Sequence, residues 1–357
     1  MSERSKSELV SVITPVFNAA PYLRQCIESV LGQTHANFEY IIADNCSTDS
    51  SLSIAQSYAD SDARLRVVEA EDHVGPIQNW NRSLDAINPQ SQYIKFVHAD
   101  DWIFSDCIEK MVSVARSDER IGIVSAYRLE EDRVSLDRLP TQCATSPGAR
   151  QFSMDGRDVG RAVFLEYASV LGSPTSVLLS SRAVSETKPF FDESYLHADK
   201  EACIRILKDW QFGFVREVLT YTRRHNESVT SLTNILDTRR QDDLMLLQRH
   251  GRSFLSPEEM SATLRKTVDL YYGFLARSVG HGKGDKFWRS HRDVFDRANV
   301  PFERLRLLKA LLRHWLDPRS AVKQLMRGSS GDAAGGNVSD ADRFLSSSRQ
   351  KRGGTVD

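Results

Sequence analysis

The segment that decides the fold reads YIKFVHADDW, residues Tyr93–Trp102. Its first half, Tyr93–Val97, is a short apolar run with the length and composition of a β-strand. The run stops at HADD, which puts two carboxylates where the strand leaves the core. Ligands bind beyond the carboxyl ends of strands in open α/β sheets, and adjacent acidic oxygens suit a divalent cation that carries phosphates. Asp100 and Asp101 are therefore candidate site residues, although a solvated loop or a helix cap at Asp101 would explain the same letters.

Strand-like and helix-like segments alternate around this stretch. Amphipathic helical segments separate the other predicted strands, which are Leu9–Val16, Phe38–Ala43, Leu65–Glu69 and Ile121–Ala126. Connections of this length cannot be tight hairpins, so they indicate βαβ units. We predict an α/β fold, a Rossmann-like and mostly parallel sheet sandwiched by helices, with strand order 3-2-1-4 at its beginning.

The pattern changes along the rest of the chain. Charged residues, proline and glycine between Arg128 and Arg157 indicate a long loop, and nearly every segment from Leu236 to Arg327 is helical in pattern. The last thirty residues are rich in glycine, serine and charge, which predicts disorder. We predict these regions: a flexible N-terminus at 1–8, an α/β domain at 9–235, a helical C-terminal region at 236–327 and a disordered tail at 328–357.

Composition restricts the class of protein. The formal net charge of −1 gives no reason to expect a nucleic-acid partner. The five cysteines are scattered and form no C-x-x-C pair, which favours a reducing compartment over a disulfide framework or a zinc site. The N-terminus MSERSKSE lacks an apolar signal region, and no segment reaches the roughly 18 apolar residues that span a bilayer. We expect a cytoplasmic protein, with attachment to the inner membrane face left open.

Polar side chains follow several of the predicted strands. Thr14 ends strand one, Asp44 follows strand two, and Asp100 follows strand four. Neighbouring parallel strands end at one rim, so these side chains should share it. A nucleoside diphosphate fits such a rim: Asp44 accepts hydrogen bonds from a base or ribose, Thr14 holds the base, and Asp100 places a metal against the pyrophosphate. The alternative for Asp44 is an Asx-turn or helix cap within DNCSTD.

Four motifs in consistent order resemble one known family. They are VSVITPVFNAAPYLRQCIESVLGQT, FEYIIADNCSTD, HVGPIQNWNRSL and YIKFVHADDW. Together, from about Leu9 to Tyr127, they look like the nucleotide-sugar-binding half of family-two inverting glycosyltransferases, which have the GT-A fold. Weaker similarity continues to about Ser231. The resemblance implies a nucleotide-sugar-binding half at 9–127 and an acceptor half at 128–235.

The resemblance also implies roles for individual residues. Nucleotide-sugar contacts are expected at Thr14, Pro15, Val16, Asn18, Asp44, Asn79, His98, Ala99, Asp100, Asp101 and Arg224. Asp100 would be the metal-binding last acid of a DXD motif, with Mn²⁺ or Mg²⁺ as cofactor, and His225 a second metal contact. His98 stands where the family more often has Asp, which removes a negative charge and weakens the affinity for either ion. His98 then either contacts the nucleotide or is a structural histidine.

A general base must deprotonate the acceptor hydroxyl as it attacks the anomeric carbon. By resemblance this base is Asp199, although the family's Glu-Asp pair reads Ala198-Asp199 here. An N-cap role for Asp199 is the alternative, and Glu201 is the second candidate base. Arg224 and His225, in YTRRHNES, match a family segment that contacts the diphosphate or the metal. A solvated basic strand end is the alternative interpretation of the same residues.

The predicted function is a metal-dependent inverting glycosyltransferase. It would move a sugar from a nucleotide-diphosphate sugar, with UDP favoured, to a hydroxyl of a glycan or lipid-linked acceptor in polysaccharide or cell-surface glycan synthesis. Two alternatives stay open: a catalytically impaired nucleotide-sugar-binding or scaffold protein, and an NAD-dependent oxidoreductase, although strand one lacks the G-x-G-x-x-G turn.

Three features have two interpretations each. The basic amphipathic segment Leu305–Arg327 either contacts anionic lipid or packs by its leucine face with its arginines in water. Trp80 and Trp102 are expected in the core rather than as sugar platforms.

Overall fold

A computed structural model describes residues 8–130, 133–135, 140, 150–166, 168, 170–195, 197–223 and 238–316. These residues belong to two compact units, 1–228 and 229–357. The domain boundary expected at 235/236 and the tail expected from 328 lie outside the described residues.

The first unit is built on one mixed sheet with flanking helices. Its strands are β1 (Val10–Val16), β2 (Phe38–Asp44), β3 (Leu65–Glu69), β4 (Tyr93–Phe96), β5 (Trp102–Ile103), β6 (Ile121–Glu130), β7 (Arg133–Ser135), β8 (Gln151–Met154), β9 (Val177–Ser180) and β10 (Gln211–Thr222). Its helices are α1 (Ala20–Leu31), α2 (Ser51–Ala59), α3 (Pro76–Asp85), α4 (Cys107–Ala115), α5 (Gly156–Leu165), α6 (Ser181–Ser185) and α7 (Ala198–Ile206). The strand order is β3-β2-β1-β4-β9-β6-β10-β5, with β7 beside β6 and β8 beside β10.

The first four strands confirm the predicted order. They are parallel neighbours, and the register pairs Val16 with Asp44 and Ile13 with Phe96, so β1, β2 and β4 end at one rim. The rest of the sheet is mixed, because β9 enters antiparallel between β4 and β6. This direction brings the turn before β9, Pro174–Ser176, to the rim where β4 ends.

Helix α1 shows how the sequence pattern produces the core. Pro21 lies in its first turn and Gly32 is its C-cap. The side chains one helical turn apart are buried against the strands: Leu23, Cys26, Ile27 and Val30. Each such burial contributes about 1.5–3 kcal/mol, so this apolar face holds the helix on the sheet.

The second unit is helical in its described part, as predicted. Its helices are α8 (Arg239–His250), α9 (Pro257–Ser278), α10 (Asp285–Arg297) and α11 (Arg304–Leu316). An aromatic core joins them, with Tyr271, Tyr272, Phe287, Trp288 and Phe295 buried. Across the described residues, every helix is too short or too polar to cross a bilayer. In α11 only Leu307 and Leu311 are buried among its leucines, so the leucine-face packing prediction holds for these two.

An ion pair inside α7 involves the second candidate base. The Glu201 side chain is 0% exposed, and its Oε2 accepts a hydrogen bond of 2.9 Å from Arg205 Nε. Arg205 also donates to the backbone carbonyls of Pro189 and Phe190. Glu201 thus holds the arginine that anchors α7 to the preceding loop.

We expect Arg205→Met to lower the free energy of unfolding by about 3–5 kcal/mol, because it removes the guanidinium that pairs with the buried Glu201 carboxylate. Arg182→Met is the matched control. It breaks an (i, i+4) pair with Glu186 whose side chains are 69% and 51% exposed, and should cost at most about 1 kcal/mol. Urea denaturation of both variants measures the difference. Equal losses would mean that burial of the pair has no energetic consequence.

Candidate active site

Asp44 ends β2 and has one carboxylate oxygen available. Its Oδ2 accepts a 2.9 Å hydrogen bond from the Ser47 backbone N–H, which is the Asx-type turn considered above. Its Oδ1 is buried and has no hydrogen-bond partner among the described residues. A buried acceptor without a donor costs about 1–3 kcal/mol, so this oxygen is positioned for a ligand N–H or O–H. Asp44 can therefore form the turn through Oδ2 and bind a ligand through Oδ1.

The residues at the end of β1 and in the loop after it, which were expected to contact a nucleotide, have different environments. Thr14 is fully buried in β1, and its hydroxyl lies 2.9 Å from Tyr40 Oη, so this side chain is not available to a ligand. Pro15 is half-buried, and Val16 pairs with Asp44 in the sheet. Asn18 has a φ of 50°, and its Oδ1 accepts from the Thr48 N–H at 2.8 Å. Asn18 thus joins the two loops beside Asp44.

Helix α3 contacts both parts of the rim. Asn79 is buried and donates from Nδ2 to the Ala43 carbonyl, at 3.5 Å, immediately before Asp44. The next residue, Trp80, packs its ring against the imidazole of His98, with centroids 5.0 Å apart. Trp80 is half-buried rather than fully in the core, and so is Trp102, which stacks on Tyr221. One helix therefore connects the Asp44 end of the rim with the turn after β4.

The turn after β4 gathers three ligand-type side chains. His98, Asp100 and Asp101 each place a ligand atom within 4.8 Å of the others, and Ala99 between them is buried. His98 Nε2 is buried without a partner among the residues that the structure describes. Burial lowers the pKa of His98, although the negative charges of Asp100 and Asp199 act to raise it. His98 therefore presents a neutral imidazole to the site.

Asp101 is the most constrained member of this turn. Its Oδ2 accepts from Thr175 Oγ1 at 2.6 Å, and its Oδ1 accepts from the Arg223 backbone N–H at 2.9 Å. Burial and the neighbouring charge of Asp100 raise the pKa of Asp101 to about 7, against the lowering effect of these hydrogen bonds. Both carboxylate oxygens of Asp101 are thus used by the protein itself.

Thr175 holds the turn from the other side, and the sequence did not indicate it. Its hydroxyl also accepts a 3.1 Å hydrogen bond from the His98 backbone N–H. Its carbonyl accepts from Nζ of Lys95, which is fully buried and donates as well to the Val177 carbonyl at 3.1 Å. The one sequence feature related to this contact is Lys95, a lysine inside an otherwise apolar strand. We call Lys95, Thr175, Asp101 and Arg223 the rim clamp.

Asp199 is near enough to the same imidazole to affect its pKa. It lies in the first turn of α7, and its carboxylate raises the pKa of His98 through space, as that of Asp100 does. The N-cap position belongs to His197, so Asp199 is not the cap. Asp199 also lines a small pocket, whose walls include Phe96, Val177 and Phe191. Arg224 and His225 lie outside the described residues.

The donor set at the β4 turn fits a divalent cation. Asp100 supplies a carboxylate, and His98 an imidazole whose Nε2 has no hydrogen-bond partner within the described part of the chain. Carboxylate oxygen with imidazole suits Mn²⁺, and oxygen alone suits Mg²⁺. Asp101 is less suitable as a ligand since Thr175 and Arg223 already use its oxygens.

The rim clamp predicts how two buried threonines respond to the same change. Thr175→Val should lower the free energy of unfolding by about 1–3 kcal/mol, because Asp101 and the His98 N–H lose a buried partner. Thr220→Val is the matched control: Thr220 is equally buried, but its hydroxyl has no partner among the described residues, so the change should be neutral or stabilising. Urea denaturation measures both. A neutral Thr175→Val would show that the clamp does not hold the turn.

Comparisons with known proteins agree with this geometry. Residues 11–165 match the family described as Glycosyl transferase family 2. TuaG of Bacillus subtilis (strain 168) is 40% identical over 131 residues, covering 36% of this chain and 51% of TuaG. The glycosyltransferase GlyG of Streptococcus pneumoniae (serotype 4) is 34% identical over 126 residues, covering 35% of this chain and 41% of GlyG. The matched segment thus spans about half or less of these relatives.

Solved structures show the same fold. TarS 1–349 of S. aureus, crystallised in complex with UDP-GlcNAc, aligns with a TM-score of 0.61 at 15% identity, over 84% of this chain and 86% of TarS 1–349. The mannosyltransferase PcManGT from Pyrobaculum calidifontis, in complex with GDP-Man and Mn²⁺, aligns with a TM-score of 0.50 at 14% identity, over 87% of each chain. The strand ends that carry Asp44 and the HADD turn lie within residues 11–165, the segment that matches glycosyl transferase family 2, and the fold is similar to that of GT-A glycosyltransferases such as TarS.

Proposed function

We propose that this chain is an inverting glycosyltransferase that moves a sugar from a nucleotide-diphosphate sugar to a hydroxyl of a glycan or lipid-linked acceptor. One observation carries the proposal. Two buried polar atoms without partners among the described residues, Asp44 Oδ1 at the end of β2 and His98 Nε2 in the turn after β4, lie on either side of β1, and Asp199 is near enough to His98 to act on it electrostatically. The match of residues 11–165 to glycosyl transferase family 2 suggests the reaction class.

The nucleoside end of the donor is assigned to Asp44. Its free Oδ1 accepts a hydrogen bond from a base N–H or a ribose hydroxyl, while Asn18 and Asn79 hold the surrounding loops. We favour a UDP-sugar because TarS, whose structure holds UDP-GlcNAc, is more similar in fold than PcManGT, whose structure holds GDP-Man.

The diphosphate end of the donor is assigned to the β4 turn. Asp100 and His98 would hold Mn²⁺ or Mg²⁺ there. When bound, such an ion offsets the negative charge of the departing diphosphate. The rim clamp keeps the turn in one position, so that the ligand atoms are already assembled before the donor arrives.

Asp199 is assigned as the general base. It removes the proton from the acceptor hydroxyl while that oxygen attacks the anomeric carbon from the side opposite the diphosphate. A carbon–oxygen bond to the acceptor forms as the bond to the phosphate oxygen breaks, and the configuration inverts. Glu201, the second candidate base, is less suitable because its buried carboxylate pairs with Arg205.

The main alternative is a protein that binds a nucleotide sugar without transferring it. His98 at the first position of the acidic motif and Ala198 before Asp199 favour this alternative, because both replace an acid of the family pattern. An NAD-dependent enzyme is the third possible outcome of the test below.

We expect slow, Mn²⁺-dependent hydrolysis of one donor in a panel of UDP- and GDP-sugars, measured as release of the nucleoside diphosphate. Asp100→Asn should abolish the Mn²⁺-dependent hydrolysis, because it removes a metal ligand. The thermal unfolding temperature without Mn²⁺ should stay near that of the unchanged protein. Donor binding without hydrolysis would support the binding protein instead, and tighter binding of NAD than of every nucleotide sugar would refute both.

We expect Asp199→Asn to lower kcat by about 10²–10⁴-fold, because the amide cannot accept the acceptor's proton. Donor affinity, measured by calorimetry with Mn²⁺, should not change. Glu193→Gln, which neutralises an exposed acid a few residues earlier, is the control and should keep full activity. Asp199→Asn with undiminished transfer would show that another group is the base.

A further inference from the structure

Helix α11 has a second apolar face that the core does not use. Leu307 and Leu311 are buried in the second unit. A separate row of side chains is exposed: Leu305 (73%), Leu308 (51%), Leu312 (46%), Trp315 (56%) and Leu316 (79%). Spacings of three and four residues place this row along one side of the helix. We call it the exposed stripe.

Basic residues accompany the exposed stripe. Lys309 and Arg313 are exposed, four residues apart, and no ion pair joins either of them to another described residue. Arg306, in contrast, is paired with Asp269 at 3.0 Å and with Glu303 at 3.2 Å. Two exposed cations thus lie along one edge of the apolar stripe.

The surrounding sequence extends this charge. From residue 304 to residue 327 the chain contains seven basic residues and one acid, Asp317, although the whole protein has a net charge of −1. The basic residues are Arg304, Arg306, Lys309, Arg313, Arg319, Lys323 and Arg327. The positive charge is therefore concentrated at this end of the second unit's sequence.

We infer that the exposed stripe docks on an anionic lipid surface. The leucines and Trp315 enter the boundary between headgroups and acyl chains, and Lys309 and Arg313 contact lipid phosphates. Charge complementarity selects this occupant, because an apolar row edged by two exposed cations matches acyl chains beneath a layer of anionic headgroups. The inference concerns binding alone and does not depend on the proposed function.

The test is co-sedimentation of the full chain with vesicles of phosphatidylcholine alone, or of phosphatidylcholine mixed with phosphatidylglycerol. We expect binding to the mixed vesicles that weakens with added salt, and little binding to phosphatidylcholine alone. Lys309→Glu with Arg313→Glu should weaken binding at least about tenfold, since each basic residue near an anionic surface contributes about fivefold.

Two further variants complete the experiment. Leu308→Ser with Trp315→Ser should abolish stable binding, and circular dichroism checks that the helices are intact, as expected for side chains that are 51% and 56% exposed. Arg265→Glu with Lys286→Glu is the matched charge control, because both residues are exposed on other helices of the same unit. This control should bind nearly as well as the unchanged protein, apart from a small loss through net charge.

Several outcomes would overturn the inference. Absence of binding to mixed vesicles would do so, as would equal binding by the two charge-reversal proteins. If sedimentation equilibrium without lipid finds a dimer that Leu308→Ser with Trp315→Ser dissociates, a second copy covers the stripe instead.

Discussion

The carboxylate of Asp101 is the constraint on which the active-site rim depends. It is 3% exposed, and burying a carboxylate is unfavourable unless donors surround it. Thr175 supplies one donor and the Arg223 backbone supplies the other. These hydrogen bonds connect the β4 turn with the segment before β9 and with the end of β10. Three distant parts of the chain thus take fixed positions because one acid needs partners.

The antiparallel direction of β9 makes this connection possible. A parallel strand in the same position would start at the opposite edge of the sheet and carry Thr175 away from the rim. With β9 reversed, Lys95 inside β4 reaches the carbonyls of Thr175 and Val177. The mixed half of the sheet therefore supports the candidate site, while the parallel half provides the strand ends that carry Asp44 and the HADD turn.

Polar groups on the rim divide into those that the protein satisfies and those that it leaves for a ligand. Asp101 and Thr175 have their partners within the chain, whereas Asp44 Oδ1 and His98 Nε2 have none among the described residues. The first group is suited to holding geometry and the second to binding. His98 belongs to the second group as a neutral imidazole, because burial disfavours its cation even beside Asp100 and Asp199.

The sequence by itself determined what depends on local pattern. Apolar periodicity predicted the alternating strands and helices, and strand ends located Asp44 and Asp100, because parallel neighbours must end at one edge. Only the tertiary structure decided the role of Thr175, the direction of β9 and which leucines of α11 are exposed. The clamp joins residues 74 and 122 positions apart, and contacts at such separations leave no periodic signal in the sequence. The sequence also did not predict that Glu201 is buried with Arg205, because the (i, i+4) spacing of an ion pair is the same on a helix surface as in a core.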